Sequence, residues 1–99
     1  MSAALSKAVK TTGSVFKSLG FSLADAENLR VRAFMMNALI GYIEERKLTQ
    51  AQAAKMLSIT QPRVSDLMRG KIDLFSIDKL VNLLAAAGLR VDLRVRKAA

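Results

Sequence analysis

From Ser22 onward the apolar positions recur with a helical period. Val31, Phe34, Met35, Ala38, Leu39, Tyr42 and Ile43 return every three or four residues, behind Ser22 and Asp25 at capping-box spacing. They predict a long amphipathic first helix that ends near Arg46. Thr49 with Gln52 repeats the capping signature and opens the short helix QAQAAKML, whose alanines let a neighbouring helix come close. After the connection SIT, Thr60 caps a third helix that stops at Gly70, a residue that tolerates positive φ. Pro62 falls in the first turn of that helix, where a missing N–H costs nothing. Ser76 caps a fourth helix, with Phe75 and Leu80 at hydrophobic-staple spacing and Leu80, Val81, Leu83 and Leu84 expected to face the core. Gly88 stops it.

Beyond Gly88 the period changes to two. Leu89, Val91, Leu93 and Val95 alternate with Arg90, Asp92, Arg94 and Arg96, which predicts a strand with one apolar and one charged face. A lone strand leaves its backbone groups unpaired, so it needs a neighbour, either the segment around residues 14–19 or the same strand of a second subunit. The second subunit is the favoured partner; an edge that binds a different protein and a plain solvated face are the other readings of this tail. At the other end, residues 1–12 have no acid and no strong period and read as a flexible basic arm. Val15, Phe16, Leu19 and Phe21 make the following stretch a strap too apolar to float freely. The expected organisation is therefore an arm and strap at 1–20, a helical domain at 21–88 and a dimerising basic strand at 89–99.

Composition narrows the chemistry. Neither cysteine nor histidine occurs in the 99 residues, which removes thiol nucleophiles, disulfides, zinc fingers and imidazole acid–base catalysis together. No enzyme activity, cofactor or metal is expected. Sixteen Lys and Arg against eight Asp and Glu give a net charge of +8, a field that attracts polyanions. Asp25 and Glu27 suit the positive end of the first helix, whereas Glu44 and Glu45 are expected to face solvent. No stretch approaches the roughly 18 apolar residues of a membrane span, and residues 1–20 lack the apolar centre of a signal peptide, so a cytoplasmic protein is expected. With only five aromatic residues, most at core positions, a stacking platform for RNA is disfavoured. Double-stranded DNA is the expected partner.

The stretch LTQAQAAKMLSITQPRVSDLMRGK has what two short, steeply crossing helices need. Ala54 is small at the contact, Ile59 plugs the turn, and Val64 and Leu67 anchor the second helix. Gln61, Pro62, Arg63, Ser65, Asp66 and Arg69 are left facing outward. A helix so presented fits the major groove with its first residues at the base edges. Over residues 29–88 the chain resembles the phage-repressor or XRE helix-turn-helix family, with the motif at 49–70. The elements LTQAQAAKML, Q-x-x-V-S-x-L and RGK stand in family order and at family spacing, with Ser58 at a turn position often held by Gly.

The resemblance implies an all-α, lambda-repressor-like bundle of four to five helices, here followed by the C-terminal β-strand. It also implies that Gln50 binds a phosphate, helped by free N–H groups beside it, and that Gln61, Pro62 and Asp66 meet bases. Gln61 suits adenine, Pro62 a thymine methyl, and Asp66 either cytosine N4 or the orientation of Arg63 or Arg69. Arg69 and Lys71 resemble the family's phosphate clamps, and Arg63 suits either role. Thr60 and Ser65 complete the expected DNA-binding set. The strap VFKSLGF, the run RGKIDLFSIDKL and the basic tail further resemble antitoxins of the HigA type. That likeness implies a homodimer on a palindromic operator, recognition helices about 34 Å apart, and a small nuclease toxin as partner.

Overall fold

The structure, a computed structural model, describes residues 22–98. The arm and strap expected at 1–20 lie outside the described residues. Four α-helices follow one another: α1 (Leu23–Glu45), α2 (Gln50–Leu57), α3 (Gln61–Met68) and α4 (Ile77–Ala86), with a single 3-10 turn at Ile72–Leu74 before α4. α1 packs on α4, α2 packs on α3, and the 3-10 turn rests against α1.

Both ends of every helix are set by local chemistry. The hydroxyls of Ser22, Thr49, Thr60 and Ser76 each accept from the backbone N–H three residues on, at Asp25, Gln52, Arg63 and Lys79. Only Thr49 completes the reciprocal box, its own N–H donating to Gln52 Oε1 at 2.8 Å; the Ser22 and Asp25 pair forms the first half alone. Each helix then closes with the same pair of backbone bonds around a left-handed residue. After α1, Lys47 N–H reaches Glu44 O and Leu48 N–H reaches Ile43 O. Ser58 and Ile59 repeat this on Lys55 and Ala54, Gly70 and Lys71 on Leu67 and Asp66, Gly88 and Leu89 on Ala85 and Leu84. Two of the four left-handed positions are glycine; the other two are Lys47 (φ 55°) and Ser58 (φ 57°).

Leu48, Ile59 and Leu89, each directly after the left-handed residue, turn back onto the core. That core joins Met35, Met36, Leu39 and Ile43 of α1 to Ala53, Ala54, Leu57, Val64, Leu67, Phe75, Leu80, Leu83, Leu84 and Ala87. The expected roles of Ala54, Ile59, Val64 and Leu67 hold. Phe34, Ala38 and Val81 depart from expectation, because all three are exposed, Phe34 by 69%. α1 is apolar over most of its circumference. At about 100° per residue its core-facing arc is taken by Met35, Met36, Leu39 and Ile43, and Phe34 and Ala38 fall outside it.

The tail is also corrected. Residues 89–98 form no strand, and no strand exists among the described residues. Leu89 and Val91 pack against the core, but Leu93 and Val95 are exposed. Of the alternating apolar positions only the first two meet the core, and a ladder needs a second strand, which does not lie alongside within the described residues. The fold is all-α. None of the described helices is long and apolar enough to cross a membrane.

Candidate nucleic-acid interface

The motif expected at 49–70 is built as two helices joined by three residues. Ser58 takes the left-handed conformation (φ 57°, ψ 42°) that glycine adopts without strain, so the turn keeps its geometry with serine in place. Ile59 anchors the turn on the core and Thr60 caps α3. Val64 and Leu67, fully buried, fix the inner face of α3.

The predicted DNA-facing residues then separate into two groups. Gln50, Thr60, Gln61, Pro62, Arg69 and Lys71 are exposed, and Arg63, Ser65 and Asp66 are half-buried. Gln50 and Gln61 open α2 and α3, where the first backbone N–H groups have no partner inside the helix and the helix dipole is positive. Such ends attract phosphate. Pro62 occupies the first turn of α3 and leaves an apolar, donor-free surface beside Gln61.

Asp66 sits between two cations. Lys71 Nζ lies 3.5 Å from Oδ1 and Arg63 Nη1 lies 4.0 Å from Oδ2, with the Asp66 side chain 25% exposed. Asp66 thus lies beside Arg63, one of the two arginines it was expected to orient, and beside Lys71; among the described ion pairs none joins it to Arg69. Arg63 is turned inward. Its Nη2 donates to Leu74 O at 3.1 Å and its guanidinium lies 4.4 Å above the centre of the Phe75 ring. A second arginine holds the same turn, Arg32 of α1 donating to Ile72 O at 3.1 Å. Neither contact was expected. The i,i+3 spacing of Arg63 and Asp66 is visible in sequence, whereas carbonyls 11 and 40 residues away are not.

A short helix capped, anchored and offered by its polar N-terminal end, in a chain of charge +8, defines a helix-turn-helix DNA-binding protein. Comparison with known proteins agrees. A family model described as a helix-turn-helix domain matches residues 16–96. A solved structure of an XRE family transcriptional regulator is similar with a TM-score of 0.69 and 38% sequence identity, over 75% of this chain and 83% of that one. No curated protein matches the chain. The chain belongs to the XRE-type helix-turn-helix family.

Proposed function

We propose that the protein is a sequence-specific transcriptional regulator that represses a promoter, its own included, by occupying it as a cytoplasmic dimer. The observation that carries this is the exposed row Gln61, Pro62 and Arg69 on a helix whose opposite face is locked into the core. Gln61 pairs with adenine, Pro62 rests on a thymine methyl, and Gln50, Arg69 and Lys71 hold phosphates. A two-fold partner doubles the contact area and explains the apolar residues left uncovered at Phe34, Leu93 and Val95.

The test is a gel-shift titration on the protein's own upstream region against a scrambled duplex at about 150 mM salt, where non-specific binding is weak. At least a hundredfold preference, in a complex sized for a dimer, is expected. Equal affinity for both duplexes would sink the autorepressor role.

A second reading gives the same uncovered residues, which lie on α1 and the tail and not on the motif helices, to a different protein in place of the two-fold partner. As an antitoxin of the HigA type, the protein would mask a small nuclease while the motif holds DNA. Replacing Gln61 and Arg69 with Ala should then abolish operator binding and leave capture of a toxin encoded next door intact. Loss of both together would contradict that division.

A further inference from the structure

We propose that Arg63 is a positioning residue of the recognition helix, which fixes the roll of α3 by clasping the turn at Ile72–Leu74, and that it reads no base. As a statement about DNA recognition this rests on the function proposed above.

A cation at the third residue of a helix stands at the positive end of the dipole, an unfavourable place unless other groups hold it. Three do. The Leu74 carbonyl accepts from Nη2 at 3.1 Å, the Phe75 ring lies 4.4 Å beneath the guanidinium, and Asp66 faces Nη1 at 4.0 Å. Phe75 is itself only 1% exposed, so the ring is a fixed platform. Recognition of guanine needs the arginine fork free to donate twice in one plane. Reaching a base would require Arg63 to give up all three partners, which are stronger for being partly shielded from water.

The same turn is also gripped by Arg32 of α1, through Ile72 O at 3.1 Å. α1, the turn and α3 are thus tied by two guanidinium groups on carbonyls two residues apart. By the proposal, this tie holds the roll of α3 and with it the direction in which the exposed Gln61 and Arg69 are offered. Lysine cannot replace it, because an ammonium has neither the planar face for the ring nor the span to reach carbonyl and ring together.

The experiment uses the full chain and a duplex that the wild-type protein selects from a random-sequence pool. Absence of any enriched sequence would defeat the DNA-reading function, and this inference with it, before any variant is made. Arg63→Lys should weaken the selected duplex about tenfold, consistent with loss of a cation–π contact and one charged hydrogen bond. A scrambled duplex should change less than about twofold, and the salt dependence should be unaltered. Every base pair of the site should keep its preferred identity. Phe75→Leu should reproduce the loss, and the double variant should bind no worse than about twofold below either single one, because one clasp is broken twice. Independently of DNA, exchange of the Leu74 and Phe75 amide hydrogens should quicken in Arg63→Lys while α1 amides stay as they were. Relaxed preference at one base pair would show Arg63 to be a base reader. Equal loss on both duplexes with a salt slope lower by about one would show a phosphate contact. Either result, additive effects of the two substitutions, or unchanged amide exchange would overturn the proposal.

Discussion

Ser58 and Lys47 hold a backbone conformation that costs an L-residue about 1–2 kcal/mol relative to glycine. Both are exposed, so nothing but the backbone geometry argues for or against a side chain there. Ser58→Gly is therefore expected to raise stability by about 0.5–1 kcal/mol after the greater unfolded-state freedom of glycine is subtracted. A urea midpoint that rises with unchanged slope would show it; a fall would mean that the Ser58 side chain has a role the geometry does not reveal. Glu27 offers a second test. Its hydrogen bonds from Arg30, at 3.0 and 2.7 Å, and then the Arg30 charge, hold its carboxyl below the usual value. A carboxyl lowered by folding stabilises above its unfolded pKa, and that contribution is lost as pH falls through the folded value. The pair is exposed, so the effect is small. Glu27→Gln should lower Tm slightly at neutral pH, and the two melting curves should converge in acid; a gap that widens in acid would reverse the sign.

Helix boundaries are what the sequence shows best, because they depend on residues within four places of each other. Ser22, Thr49, Thr60 and Ser76 mark every start, and Gly70 and Gly88 mark two of the four ends. Thr49→Ala should cost about 1 kcal/mol, since it removes the acceptor for Gln52 N–H and leaves the reciprocal bond without its counterpart; circular dichroism melts against wild type would detect it. Orientation was harder to see. Apolar residues over most of the circumference of α1 do not say which arc meets the core, so spacing alone places Phe34 and Ala38 inside. The tail was legible as an alternation but not as a strand, because pairing is a property of two segments. In the candidate interface the exposed residues followed from helix phase, whereas the inward turn of Arg63 depends on Phe75 and Leu74, which only the tertiary fold brings beneath it. The tail carries its own test. If the proposed dimer forms through the tail, Leu93→Glu with Val95→Glu should leave only monomer in sedimentation while the secondary structure is kept, as both side chains are exposed in the single chain. A dimer that persists would place the two-fold contact elsewhere.

As a whole the domain is small, and its stability rests on one core. Leu39 is fully buried between the helices, so Leu39→Ala should remove about 2–5 kcal/mol, a large share of the roughly 5–15 kcal/mol that small domains possess. Chemical denaturation measures this directly, and a loss under about 1 kcal/mol would mean that the core can close over the gap. The connections carry a different message. From Arg46 to Thr49 and from Ser58 to Thr60, each residue is already engaged as a helix stop, an apolar anchor or the next cap. Such joints have no slack, and the two motif helices move as one piece, like links welded at a set angle. A reading head that keeps this geometry on DNA would adjust little to an imperfect duplex. The adjustment falls to the DNA, whose cost of twisting and bending then enters the choice of site, even at base pairs that no side chain of this protein reaches.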